Sequence, residues 1–228
     1  WDAWGPEGQL INEPRPWTAP DEGVLDFFNT GVSYKNNISV SKTGENYGVR
    51  FDYNNNTTEG TMPNSERDKN NFKLRGNAAI GDKIDINANV NFANIYTKGR
   101  PEIGYGDNSV GQKFYQWGQR QLDYGLLEDY QYDDGTQRTW NRIAFNDPTP
   151  QYADNPYWTA HENAPEDERN RFYGNLGLTY QIMDNLSFEG NIYGDTYNFY
   201  IREKVAVGSQ AQPYYREIVR SRSEYNYE

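Results

Sequence analysis

Residues 70–96 read NNFKLRGNAAIGDKIDINANVNFANIY, and this stretch decides the fold. On each side of Gly81-Asp82-Lys83, apolar or small residues alternate with polar ones. Because successive side chains of a strand point to opposite faces, the alternation predicts two strands, each with an apolar and a polar face. Gly and Asp in so short a connection are typical of a hairpin turn. Each half has roughly ten residues or more, which is the length of a membrane-crossing strand.

The composition excludes several classes of function. The 228 residues carry a net charge of -11, which disfavours a nucleic-acid partner because phosphate binding needs a basic surface. The chain has no cysteine and one histidine, His161, so thiolate metal sites, cysteine nucleophiles and histidine clusters are not expected. No pair of carboxylates has a spacing that selects it as a glycosidase site. We therefore expect neither an enzyme nor a cofactor.

The alternation of residues 70–96 recurs along the chain and divides it into four segments. Residues 1–33, rich in Pro and Trp, are predicted to form an extracellular loop, with a short helical turn at Asp26-Phe27-Phe28. Further strands are predicted at about 34–42, from Tyr47 to about 56, at 172–180, at 186–195 and, with weaker alternation, up to Glu228. The predicted segments are the loop 1–33, strands one to four in 34–96, a large extracellular loop at 97–168, and strands five to seven in 169–228.

The predicted connections alternate strictly in length. Those at 43–46, 81–83 and 183–185 are short, and those at 57–68, 97–168 and 201–212 are longer. Outer-membrane barrels have short periplasmic turns and long extracellular loops. We therefore predict an all-β chain, a segment of a transmembrane antiparallel β-barrel in which one long loop contains a short helix. The alternative is a soluble β-sandwich that binds carbohydrate or a protein partner.

The period of two also predicts which side chains face lipid and which face the lumen. The residues expected to face hydrocarbon are Val49, Phe51, Phe72, Leu74, Ile84, Ile86, Val90, Leu176, Leu178, Phe188 and Ile192. The charged residues expected to face the lumen are Arg50, Lys73, Arg75, Asp85, Glu189 and Asp195. The lumen-facing charges can contact cargo, contact a plug domain or pair with each other across strands.

The large loop carries the candidate binding residues. Apolar spacing predicts a helix within Ser109–Tyr130, with Ser109 as its cap. The side chains that could stack on or bind cargo are Trp117, Trp140, Trp158, Tyr115, Tyr157 and Arg120. The alternative for these aromatic residues is the private core of a folded loop. Four carboxylates, Glu128, Asp129, Asp133 and Asp134, resemble an incomplete calcium site, for which a solvated acidic loop is the simpler interpretation.

Several short motifs resemble those of SusC-like (SusC/RagA) TonB-dependent outer-membrane transporters. The longest, at residues 114–123, reads FYQWGQRQLD. The others are DNPYW at 154–158, DERNRFYG at 167–174, the glycine-containing hairpin 43–48, and Trp4-Gly5-Pro6. Together the similarity extends over nearly the whole chain.

The resemblance implies a function in nutrient import across the outer membrane. Members of this family form a barrel of about 22 strands around a plug. The expected partners are oligosaccharide or peptide cargo, a SusD-like surface lipoprotein that acts as a lid, outer-membrane lipid, and the TonB complex through parts not in this chain. Because bacterial barrels have even strand numbers of at least eight, seven strands also predict a longer polypeptide.

Overall fold

Long antiparallel strands dominate the fold, which is a computed structural model that describes residues 19–144 and 146–228. Residues 1–18 of the predicted loop 1–33 therefore lie outside the described residues. The strands, numbered in chain order, are β1 (Val32–Thr43), β2 (Tyr47–Glu59), β3 (Glu66–Ile80), β4 (Ile84–Lys98), β5 (Arg142–Ala144), β6 (Asp147–Pro150), β7 (Glu166–Met183), β8 (Leu186–Val205) and β9 (Tyr214–Tyr227).

The seven long strands form one antiparallel sheet in the order β1-β2-β3-β4-β7-β8-β9. This confirms the predicted antiparallel β architecture. The sheet is open in the described part of the chain, with β1 and β9 at its two edges. The predicted connection 57–68 is wrong in its extent, because β2 continues to Glu59 and β3 starts at Glu66. Backbone pairing continues there although the side chains no longer alternate between apolar and polar.

The pairing register is uniform across the sheet. The single shift among its described pairings lies between Gln181 and Met183, beside the β7–β8 turn. Because directly paired residues lie on the same face of a sheet, the pairings define rows of side chains that cross all seven strands. All the residues predicted to face lipid fall on one face, called here the apolar face, and all the predicted lumen-facing charges fall on the other, called here the polar face.

The helix predicted at Ser109–Tyr130 is mostly wrong. The α-helix α1 spans Val110–Gln112 only and continues as one π-helical turn, Lys113–Trp117. The chain then becomes extended at Gly118, where a Cβ would approach the Phe114 carbonyl oxygen at 2.4 Å. The Ser109 cap is confirmed, because its hydroxyl accepts a hydrogen bond from the Gln112 amide at 3.3 Å. A short helix in the large loop is thus present.

The segment between β4 and β7, residues 99–165, is folded and is called here the insertion. It contains the β5–β6 pair and a second helix, α2 (Pro156–Glu162), neither of which the sequence analysis predicts. A single turn of 3-10 helix at Val24–Phe27, close to the predicted turn, packs against it through Phe27. Among the described residues, no helix has the length and apolar character that crossing a membrane requires.

Candidate functional site

The insertion and the 3-10 turn Val24–Phe27 share an aromatic core at the end of the sheet opposite the short turns. Phe27 is surrounded by the rings of Phe28, Phe114 and Tyr157, with centroids 4.8 to 5.2 Å apart in edge-to-face arrangements. Tyr124 continues this cluster, 5.4 Å from Phe114. Edge-to-face pairs of this kind stabilise a core beyond the area they bury. The insertion is therefore a packed subdomain.

Asn155 is the polar centre of this subdomain and is fully buried. Its side-chain amide donates to the carbonyl oxygens of Leu127 at 2.8 Å and Arg138 at 2.9 Å. Its side-chain oxygen accepts from the Tyr157 amide at 2.8 Å and so caps α2. Its own backbone amide donates to the Gln137 side-chain oxygen at 2.7 Å. One side chain thus joins three separate segments of the insertion.

Asp154, the preceding residue, ties the insertion to the connection 206–213 between β8 and β9. Its carboxylate accepts from the Gln210 backbone amide at 2.6 Å and from the Gln137 side-chain amide at 2.8 Å. The Gln137 amide also donates to the Gly208 carbonyl oxygen at 3.1 Å. Burial raises the pKa of Asp154 because the charged form loses its hydration.

Asn163 and Trp158 fix the same connection at two further points. The Asn163 side-chain oxygen accepts from the Ala206 amide at 2.8 Å, and its amide donates to the Ser209 hydroxyl at 3.1 Å. The Trp158 indole N–H donates to the same hydroxyl at 2.9 Å. Asn64, in the β2–β3 connection, donates to the Ala160 carbonyl oxygen of α2 at 3.0 Å. All three longer connections of the sheet are therefore joined into one structure.

The Asp154 contact should make the stability of the insertion depend on pH. A carboxyl whose pKa is raised by folding favours the folded state most below its ordinary value of 3.8, and this contribution is lost as the pH rises through the raised value. We expect stability in urea, followed by tryptophan fluorescence, to fall from pH 4 towards neutral. Asp154→Asn keeps the acceptor oxygen and should flatten this slope. Asp133→Asn, at an exposed position, should leave it intact, and an unchanged slope in Asp154→Asn would contradict the assignment.

The predicted binding residues divide into buried and accessible groups. Tyr157 and Trp158 are 6% and 2% exposed, so a sugar ring cannot stack on them in this structure. Trp140 is half-buried and donates to the Trp117 carbonyl oxygen at 3.3 Å, while the Trp117 ring stacks on Tyr152 at 5.0 Å. Tyr115 is 95% exposed, and Arg120 is exposed as well. The structure does not bring these six residues into one pocket, and their role in binding stays a prediction.

Two carboxylates of the acidic loop form hydrogen bonds or ion pairs with nearby residues of the insertion. Asp134 accepts from the Thr136 amide at 2.9 Å and from its hydroxyl at 2.6 Å, and these bonds lower the pKa of Asp134. Asp129 pairs with Arg138. No group of three potential His, Cys, Asp or Glu metal ligands occurs in the residues that the structure describes.

The polar face contains ion pairs in the rows nearer the short turns. Asp52 is buried and accepts from Arg50 at 2.9 Å, from Arg75 at 3.1 Å and from Ser39. Arg171 pairs with Asp195 through two hydrogen bonds on neighbouring strands. The pairing of the predicted lumen-facing charges with each other is left open by the sequence. In the structure Arg50, Arg75 and Asp195 pair instead with Asp52 and Arg171, two charged residues of the same face that the prediction does not include.

Several residues at this site escape sequence reasoning. The buried hydrogen-bonding residues Asn155, Asp154, Asn163 and Gln137 belong to no regular pattern of apolar residues. One signal was present, because Asn followed by Pro marks the start of a helix through capping by Asn and the fixed φ of Pro. Residues 155–156 have this signature and begin α2.

Comparison with known proteins gives no assignment. No family model matches the chain, and no curated protein matches it significantly.

Proposed function

We propose that this chain forms a sector of an outer-membrane TonB-dependent transporter of the SusC-like kind, which imports oligosaccharides or peptides together with a SusD-like surface lipoprotein. The observation that carries the proposal is the apolar face of the seven-stranded sheet. Most of its large apolar side chains are solvent-exposed in the described structure. They form rows across the strands, and these rows end at defined upper and lower edges.

The rows of the apolar face have the composition expected of a lipid-facing surface. One row pairs Val40, Phe51, Leu74 and Val90 across four strands. The next contains Val49, Ala88, Leu176 and Ile192. Leu176 and Ile192 are 50% and 58% exposed, which is unfavourable in water over so large a contiguous area. On β4 the apolar positions run from Ile84 to Phe92, and this length matches the roughly 9–11 residues of a tilted membrane strand.

Aromatic rings frame this band at both edges. At the edge nearer the insertion, one row contains Tyr53, Phe72, Phe92 and Phe172. The Tyr53 and Phe72 rings stack at 4.8 Å. At the edge nearer the short turns, Tyr180 pairs with Phe188. Outer-membrane barrels carry aromatic girdles at both interfaces, so this arrangement supports the proposal.

A row of asparagines limits the band on the side of the insertion. The row contains one asparagine from each of β1, β2, β3, β4, β7 and β8. They are Asn36, Asn55, Asn70, Asn94, Asn170 and Asn198. Neighbouring side chains bond to each other, as between Asn94 and Asn170 at 2.8 Å. Burying an asparagine side chain in hydrocarbon is costly, whereas among polar headgroups its amide finds hydrogen-bond partners. The row therefore fits the level at which hydrocarbon ends.

A β-sandwich would bury the apolar face under a second sheet. In the described part of the chain, the only other sheet is the two-stranded β5–β6 pair. The edges of the large sheet also carry unpaired backbone groups, which cost several kcal/mol each in lipid. Closure by further strands would pair them, which is why we propose a sector of a closed barrel rather than an isolated sheet.

The insertion is the element we propose to meet the surface lipoprotein. Ile103, Tyr105 and Tyr115 are each more than four-fifths exposed and lie around an apolar groove of ≈ 720 Å³. Large apolar side chains exposed together are typical of a protein-binding surface. The groove belongs to the side of the sheet with the long connections, the extracellular side in the proposed orientation.

Nitroxide labels at two adjacent positions test the membrane assignment. Ile86 lies on the apolar face and Asn87 on the polar face. In lipid vesicles, the label at position 86 should collide readily with oxygen dissolved in the bilayer, and the label at 87 should respond to a water-soluble relaxation agent. Equal lipid accessibility at both positions would remove the assignment, and so would a chain that stays folded and monomeric without any detergent.

A further inference from the structure

We infer that the polar face binds an acidic oligosaccharide through a row of four unpaired cations. The row, called here the cationic row, consists of Lys35, Lys69, Arg169 and Arg220. The inference rests on the proposed function, because it assigns a cargo class to that transporter. It is drawn from the charge distribution of this face, the spacing of the four cations and their lack of ion-pair partners.

Charge is segregated between the two faces of the sheet. The whole chain has 22 basic and 33 acidic residues. On the polar face of the long strands the excess is reversed, with eleven basic and seven acidic residues. The basic ones are Lys35, Arg50, Arg67, Lys69, Lys73, Arg75, Arg169, Arg171, Arg216, Arg220 and Arg222. The acidic ones are Asp52, Asp85, Asp167, Glu189, Asp195, Glu203 and Glu224.

Most carboxylates of this face already have cationic partners. Asp52 and Asp195 are paired as described above, and Glu224 pairs with Arg222 at 3.1 Å. Asp167, the acidic residue in the row next to the cationic row, pairs with Arg100 at 2.9 Å. Within the described residues, no member of the cationic row has an ion pair. Its four charges therefore remain available to an external anion.

The cationic row has a regular spacing. Its members lie on β1, β3, β7 and β9, which are alternate strands in the sheet order. Since neighbouring strands are about 4.8 Å apart, successive cations are roughly 10 Å apart along the row. Such an arrangement suits an elongated ligand that carries negative charges at regular intervals. The row lies on the side of the insertion, where a ligand from outside the cell would arrive.

The surroundings of the row favour a sugar over a peptide. The next row towards the short turns contains Asn37, Asn54, Asn71 and Tyr197, which offer amide and hydroxyl groups to sugar hydroxyls. Arg169 lies over the Tyr197 ring at 4.7 Å, which orients its guanidinium, and its Nε is buried without a hydrogen-bond partner. The two terminal nitrogens of a guanidinium held in this way can bind a carboxylate through two parallel hydrogen bonds.

Calorimetry with defined probes on the complete barrel that contains this sector, purified in detergent micelles, tests the inference. We expect tetragalacturonate to bind, and its methyl ester, which has the same sugar skeleton without charge, to bind at least about tenfold more weakly. Lys69→Gln combined with Arg169→Gln should weaken the binding of tetragalacturonate by a similar factor. The matched control is Lys42→Gln combined with Lys98→Gln, which removes two charges from the other face and should leave affinity unchanged.

Three results would overturn the inference: no binding of tetragalacturonate, equal binding of the methyl ester, or equal loss of affinity in the control variant. Binding of tetraglutamate as tight as that of tetragalacturonate would overturn the sugar assignment in favour of an acidic peptide. Arg169→Lys keeps the charge but loses the paired hydrogen bonds of the guanidinium. It should therefore retain more of the affinity than Arg169→Gln, which separates loss of charge from a folding defect. The labels at 86 and 87, measured in lipid vesicles, report separately on the membrane assignment.

Discussion

Arginine in place of Leu176 is expected to destabilise the folded protein in lipid vesicles by about 2–4 kcal/mol. Leu176 lies near the middle of the apolar band, between Ala88 and Ile192 in its row, and is half-exposed. In the proposed orientation the new guanidinium would lie in hydrocarbon, far from either interface. Urea titrations of folding into vesicles, followed by tryptophan fluorescence, measure the difference.

The adjacent residue provides the matched control. Asn175 lies on the polar face, beside Asn89 and Tyr193, where an arginine meets water and amides. Asn175→Arg should therefore change stability by less than about 1 kcal/mol, as surface substitutions usually do. An equal loss of stability from arginine at 175 and at 176 would show that one face is not in lipid while the other is in water. The proposal of a membrane sector would then fail.

Alanine in place of Asn155 is expected to unfold the insertion while the long strands stay paired. The substitution removes the cap of α2, worth about 1 kcal/mol. It also leaves the buried carbonyl oxygens of Leu127 and Arg138 without the amide that satisfies them, at about 1–3 kcal/mol each. The sum, roughly 3 kcal/mol or more, is a large share of the stability of a subdomain of this size.

Hydrogen exchange read by mass spectrometry separates local from global effects. In Asn155→Ala, amides of the insertion should exchange much faster, while those of β3, β4 and β7 keep their protection. Asn146, exposed in the turn between β5 and β6, offers the matched control, because Asn146→Ala removes the same side-chain amide at a solvent-exposed position. Unchanged protection in Asn155→Ala would mean that the insertion does not depend on this hydrogen-bond centre.

The sheet was predictable because each strand repeats one short rule. Apolar residues at every second position, as in 84–92, define a strand and its two faces without any knowledge of the neighbours. The strand ends were less predictable. Polar segments such as 54–59 have no alternation, and they are extended because their backbones pair with the next strand. Such tertiary pairing overrides local preference.

The insertion was not predictable in the same way, because no period governs it. The spacing of Phe114, Trp117, Leu122 and Leu126 suggests a helix, but the chain leaves the helix at Gly118 so that Phe114 and Tyr124 can meet. The hydrogen bonds of Asn155 connect residues 17 and 28 positions apart. The aromatic residues of such a segment are evident from its sequence, but which of them are buried depends on these long-range contacts.

The uniform register of the sheet limits how related chains can differ in length. Loss or gain of one residue within a long strand would turn every later side chain of that strand to the opposite face, so that leucines and arginines would exchange sides. Only a bulge can absorb the change, and the pairings show one irregularity, beside the β7–β8 turn. Insertions and deletions acquired during evolution should therefore collect in the connections, and above all within 99–165.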